Sequence, residues 1–166
     1  MSVSGRYRLP TGFRIVSGGQ SGVDQAALDW AIAHGVPHGG WCPRGRRAEY
    51  GTIDCKYRLD ETPTAEYLER TEWNVRDSDA TVIFSFDEEL IGGTKHTAEF
   101  AVERAKPWLK LLRRDEPRDL VAFLERHHVV RLNVAGPRES QAPGIGAFVS
   151  EVLDLAIDAG AGEATG

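Results

Sequence analysis

The chain has 166 residues, 41% hydrophobic and 27% charged, a balance that fits one globular domain and excludes wholesale disorder or a fibrous repeat. Its 20 basic and 25 acidic residues leave a formal charge of -5, which argues against a partner such as duplex nucleic acid. Cys42 and Cys55 are too few for a disulfide scaffold and lack metal-site spacing, no run nears the roughly 20 apolar residues of a membrane span, and MSVSGRYRLPTG has no secretory apolar stretch; a cytoplasmic protein without membrane contact or structural metal is expected.

In chain order, residues 1–12 are expected to form an N-terminal tail, 13–159 a single domain and 160–166 a flexible C-terminal tail. FRIVS (13–17) reads as a buried strand, short and rich in β-branched and aromatic residues. After GGQSG, VDQAALDWAIAHG reads as a helix, with Val23, Ala27, Trp30, Ala31 and His34 on one stripe and Gly35 as its stop; Ser21 and Asp24 resemble a capping box. A second short strand is expected within 36–41, and 42–60 shows no clear period, a length of irregular chain that is usually functional or mobile. Pro63 introduces a helix over about 65–76, and ATVIFSF (80–86) is the clearest strand. DEELIGGT then leads to a helix, HTAEFAVERAK, ending before Pro107. WLKLL (108–112) reads as a strand, 118–126 as a helix, HVVRLNVAG (128–136) as a strand, and AFVSEVLDLAIDA as the last helix after the loop PRESQAPGIG. Strands alternating with helices predict an α/β three-layer sandwich around a mostly parallel central sheet.

Three times a strand runs into a small-residue loop and then a helix: Gly18-Gly19-Gln20-Ser21-Gly22, Gly92-Gly93-Thr94, and Gly136-Pro137-Arg138-Glu139-Ser140. In an open parallel sheet such loops share the carboxyl edge, where ligands bind. Glycine lets the backbone approach closely, and helix starts offer N–H donors and partial positive charge, so the three loops together suggest a cradle for a phosphate or other oxyanion. Arg44, Arg46 and Arg47 beside Gly45, with Lys95 and Arg138 at the loops, fit a local positive well, since the guanidinium fork suits tetrahedral oxyanions.

Acidic residues cut across this pattern. Asp24 either caps its helix or takes a ribose hydroxyl or a metal; Glu99, six residues past Gly93, is a general acid or base candidate or part of a solvated face. Asn74 and Asp77 either face the same edge or end their helix. Of the five histidines only His96 sits at a loop, and Trp41 either stacks on a base or joins the core. No Walker lysine, GxGxxG fingerprint or nucleophile elbow is present.

The strings IVSGGQSGVDQAALDWA, RTEWNVRDSDATVIF, GGTKHTAEFA, KPW and LNVAGPRES-APGI together resemble the molybdenum carrier family, the circularly permuted YpsA-type branch of the SLOG superfamily, over about residues 13 to 157. The resemblance implies a Rossmann-like fold, a homo-oligomer (dimer or tetramer), and a site for molybdenum cofactor, molybdate or a nucleotide-like phosphate. Its motifs fall on Gly18, Gly19, Gln20, Ser21, Gly22 and Asp24, on Gly92, Gly93 and Thr94, and on Gly136, Pro137, Arg138, Glu139 and Ser140. More distantly, the chain is similar to the lonely-guy phosphoribohydrolases, whose GGxGTxxE motif carries a catalytic glutamate. Gly92, Gly93 and Glu99 match that motif, whereas Lys95 and His96 replace its later glycine and threonine, placing a side chain where phosphate needs backbone. A carrier is therefore the expected function, with nucleotide N-glycosidic hydrolysis or nucleotide sensing as the alternative.

Overall fold

A computed structural model describes residues 5–160. The chain runs through β1 (Tyr7–Arg8), β2 (Arg14–Val16), α1 (Val23–Ala33), β3 (His38–Gly39), β4 (Trp41–Cys42), a 3-10 turn at Arg44–Arg46, β5 (Arg47–Ala48), β6 (Gly51–Thr52) and β7 (Asp60–Glu61). It continues through α2 (Tyr67–Arg76), β8 (Ala80–Ser85), α3 (Gly92–Glu103), β9 (Trp108–Leu112), α4 (Pro117–His127), β10 (Arg131–Ala135), α5 (Ile145–Ala156) and β11 (Ile157–Asp158).

Five strands form the central sheet in the order β3-β2-β10-β8-β9, every pairing parallel. Helix α1 packs on α5 and α5 on α4, while α2 packs on α3, which gives the helix–sheet–helix layering of a Rossmann-like fold. Strand alternation sorts the two faces. Ala80, Val82 and Phe84 of β8, with Leu132 and Val134 of β10, join the large apolar core that α1, α4 and α5 share. The intervening Thr81 and Asn133 are buried and hydrogen-bonded to each other at 3.2 Å. The layer between the sheet and α2–α3 is thus partly polar, and it leads to the carboxyl edge.

Several expected boundaries shift. Helix α3 starts at Gly92 rather than His96, so Gly92, Gly93 and Thr94 are its first turn; Thr97 Oγ1 donates to the Gly93 carbonyl at 2.9 Å. Packing against α2 outweighs the low helix propensity of two glycines. Helix α5 runs 145–156 rather than 147–159, because Ile157 and Asp158 leave it to pair with Tyr7 and Arg8. Part of the expected N-terminal tail therefore belongs to the fold, with Tyr7 buried and its hydroxyl donating to the Val129 carbonyl at 2.8 Å. The flexible tail expected over 160–166 lies, Gly160 apart, outside the described residues. The Ser21–Asp24 capping box does not form: Gly22 is the N-cap of α1, without a side-chain cap.

Candidate functional site

Loops following β2, β8 and β10 meet at the carboxyl edge of the sheet. Gly22, with φ 80°, lies so close to the third loop that a Cβ would sit 2.5 Å from the Pro137 carbonyl oxygen and 2.6 Å from the Glu139 nitrogen. Val23 N–H donates to that same Pro137 carbonyl at 3.3 Å, and Glu139 N–H donates to Ser21 Oγ at 3.3 Å. These contacts clamp the first loop to the third. They also occupy the first amide of α1, Val23 N–H, and the Gln25 N–H donates to the Gln20 carbonyl at 3.0 Å.

Beside this clamp opens a cavity of about 360 Å³, lined by Gln20 and Asp24 from the first loop and α1, Gly92, Gly93, Thr94, His96 and Thr97 from α3, and Gly136, Arg138 and Gln141 from the third loop. That size lies within the small-molecule range of roughly 300–1,000 Å³. Strand β10 adds Ala135 to the wall, and helix α2 adds Tyr67, Leu68, Arg70 and Thr71. Its positions 67, 70, 71 and 74 follow the three-four spacing of one helix face, and that face is polar where an ordinary packing stripe would be apolar. The same spacing was the available sequence signal for Tyr67, Arg70 and Thr71, none of which the loop pattern selects.

Asp24 lies at the floor, 4% exposed. Its Oδ2 accepts the Gln20 N–H at 3.2 Å and faces Arg70 Nη1 at 3.4 Å. Burial pushes the Asp24 carboxyl up, and the Arg70 guanidinium opposes that rise, followed by the Gln20 amide and the Ser17 hydroxyl. Arg70 is drawn down by the same burial, with Asp24 holding it charged and Arg138 working against it. The Tyr67 ring carries three guanidiniums: Arg47 at 4.2 Å, Arg138 at 4.5 Å and Arg70 at 5.9 Å from its centroid. Gly18 leaves room for this pair, since a Cβ there would stand 3.0 Å from Asp24 Oδ2.

Of the residues expected at a site, Gln20, Asp24, Gly92, Gly93, Thr94, Gly136 and Arg138 share this cavity. Gly18 and Asn74 line a small annex behind Asp24 and Arg70. Asn74 is occupied with the backbone of Trp41, accepting its N–H at 2.7 Å and donating to its carbonyl at 2.9 Å. Trp41 itself donates to Asp77, packs in a T-shaped pair with Trp73 and does not line the cavity. Gly19 packs on Leu59 and Ile53. Ser21 and Ser140 both hydrogen-bond Glu49, Glu139 accepts the Gly144 N–H at 2.7 Å, and Pro137 borders a neighbouring hollow that shares Thr94 and Gln141.

Three other residues lie apart from it. Arg46 is committed to the carbonyls of Ile53, Asp54 and Tyr57, and Arg44 is exposed in the 3-10 turn; neither lines the cavity. Glu99 is exposed and does not itself line the cavity; its carboxylate is 3.2 Å from Nδ1 of the cavity-lining His96 and 4.0 Å from Lys95 Nζ. Among the described residues no group of three His, Cys, Asp or Glu side chains is placed to hold a metal ion, and no helix is long and apolar enough to cross a membrane.

Residues 15–157 match the model of the circularly permutated YpsA SLOG family. Among solved structures the chain is similar to a candidate molybdenum carrier protein from Syntrophus aciditrophicus SB, with 42% identity and a TM-score of 0.83 over 87% of this chain and 94% of that one. No curated protein matches the chain.

Proposed function

The chain belongs to the circularly permutated YpsA SLOG family, and from that premise we propose that it is a molybdenum carrier, holding molybdate or molybdenum cofactor by an oxyanionic group in the cavity between α1, α2, α3 and the third loop. One observation carries this reading: Arg70 and Arg138 line the same cavity as Gly92, Gly93 and Thr94 of the first turn of α3. Arg70 is paired with Asp24, whereas Arg138 rests on the Tyr67 ring and forms no ion pair among the described residues, acting on Asp24 only from a distance. A guanidinium on an aromatic support is pre-positioned for a charge-assisted fork to a tetrahedral oxyanion. The start of α3 adds the positive end of a 12-residue helix. The similarity to the Syntrophus protein supports molybdenum as the cargo.

Carriage rather than hydrolysis is favoured by the place of Glu99, which is exposed and does not itself line the cavity, its carboxylate paired with His96 and Lys95. With this function we propose a cytoplasmic setting, which suits two free cysteines, and a homo-oligomer, which suits the exposed Leu68 of α2, Val102 of α3 and Ile91 just before α3.

Calorimetric titration of the purified protein with molybdate, inorganic phosphate and molybdopterin tests the reading. Arg138→Ala is expected to weaken binding by about tenfold or more, the loss of one charge-assisted hydrogen bond, while Glu99→Gln leaves affinity unchanged. Equal affinity in wild type and Arg138→Ala would sink the proposal.

A further inference from the structure

The irregular segment 42–60 contributes nothing to the cavity wall, yet it touches the site at several points. Within it β5 and β6 form a hairpin, Arg47 opposite Thr52 and Ala48 opposite Gly51, with Glu49 and Tyr50 at the turn. The hairpin is firmly rooted. Ile53 is buried in a small second core with Leu28, Cys42 and Tyr57, and Arg46 is held by the carbonyls of Ile53, Asp54 and Tyr57. At the turn Tyr50 is 79% exposed, and the contacts of Glu49 with the neighbouring loops are polar.

Those contacts lead to Arg138. One carboxylate oxygen of Glu49 accepts the Ser140 hydroxyl, and the other accepts the Ser21 hydroxyl at 3.4 Å. Ser21 Oγ in turn accepts the Glu139 N–H at 3.3 Å. Glu139 and Ser140 directly follow Arg138 in the chain, so a single carboxylate secures the stretch that carries that guanidinium. The same hairpin reaches two other members of the wall. The Arg47 carbonyl accepts Gln20 Nε2 at 2.9 Å, and the Arg47 guanidinium stands 4.2 Å from the centroid of the Tyr67 ring on which Arg138 rests at 4.5 Å.

A carboxylate tied to the Arg138 loop repels any anion held there. The repulsion is offset if that carboxylate also sets where Arg138 points, because a guanidinium fork already held in place loses less freedom on binding. We infer that Glu49 is a positioning residue of the site, acting on a bound anion through Arg138 by holding the third loop to the first. This inference rests on the oxyanion reading above and gives the β5–β6 hairpin its part in it: a brace outside the cavity that orders the cavity's unpaired arginine. Glu139, the other carboxylate of the third loop, accepts the Gly144 N–H and so secures the far end of the same loop.

Calorimetric titration of the full chain with inorganic phosphate and with molybdate separates positioning from plain charge, because the two predict opposite signs. Were Glu49 only a nearby negative charge, neutralising it would tighten anion binding. As a positioning residue, Glu49→Ala is expected to weaken both anions roughly fivefold, part of what losing the Arg138 hydrogen bond itself would cost. Glu49→Gln makes the same change of charge but keeps an acceptor for one serine, and it should return affinity to within about twofold of wild type. Ser140→Ala, which changes no charge, should weaken both anions as well. In an Arg138→Ala background Glu49→Ala should weaken neither anion further, since the two residues act as one unit. Thermal melts of the Glu49 variants within about 4 °C of wild type separate these losses from unfolding, and Ser140→Ala carries the same test if Glu49→Ala does not fold. Equal or tighter binding in Glu49→Ala, or a loss undiminished without Arg138, would overturn the inference and leave the oxyanion reading intact. Failure of both anions to bind wild type would overturn both.

Discussion

Replacing Arg70 with methionine tests how the floor of the cavity is held together. The guanidinium and the Asp24 carboxylate are 3.4 Å apart, with side chains 15% and 5% exposed. At an effective dielectric of about 20 their attraction is on the order of 5 kcal/mol, and removing one partner of such a buried pair typically costs about 3–5 kcal/mol because the other charge is stranded. In a chain of this size each kcal/mol moves the melting point by roughly 2–4 °C, so Arg70→Met should melt roughly 6–20 °C below wild type at neutral pH. The loss must also depend on pH. Without Arg70, the largest influence opposing burial is gone, leaving the Gln20 amide, the Ser17 hydroxyl and Arg138, and the Asp24 carboxyl rises further above the ordinary value. A group raised in the folded state contributes stability that is present below its unfolded pKa and lost as pH rises through its folded pKa. The deficit of Arg70→Met should therefore shrink as the pH is lowered from neutrality toward 5, and Asp24→Asn combined with Arg70→Met should recover more than half of it. Thermal melts of the three variants across that range provide the measurement. A deficit that is absent, or that stays constant with pH, would refute the description of Asp24 and Arg70 as a mutually dependent buried pair.

Two further outcomes follow from contacts outside that pair. Gly22→Ala forces a side chain into left-handed backbone against Pro137 and Glu139, and it should cost roughly 2–4 kcal/mol in denaturant unfolding; a change under about 0.5 kcal/mol would disprove the clamp between the loops. Burial, with Arg14 and Arg58 nearby, holds the His38 imidazole below its usual 6.5, and its Nε2 accepts the Arg58 N–H at 3.1 Å. Stability that depends on neutral His38 is present above 6.5 and lost as pH falls through the lowered folded value, so His38→Gln should remove part of the acid-side decline; identical pH profiles would exclude this role.

Much of the site was legible locally, because strand, glycine loop and helix start are consecutive in the chain. Gly92 to Thr94 and Gly136 to Arg138 lie at the carboxyl edge because parallel strands send every following loop there. The arginines of the irregular segment misled for a physical reason: a run of positive charge does not reveal its direction, and Arg46 turns inward to satisfy three carbonyls of its own segment. Asp24 was legible as an anomaly, an acid at a supposedly anion-facing helix start, but its partner Arg70 lies 46 residues away and no local pattern joins them.

The amino-acid order by itself determined the alternation of strands and helices and the three glycine loops, since hydrophobic period and turn chemistry act over a few residues. Which positive charges serve those loops was decided by tertiary packing. Helix α2 contributes a polar face, Tyr67, Arg70 and Thr71, only because it is laid across the sheet edge beside α3. Burial there, and not sequence spacing, couples Arg70 to Asp24 and leaves Gln20 with an unmet oxygen. Charge pairing and desolvation depend on distance in space, and that distance exists only once the chain has folded.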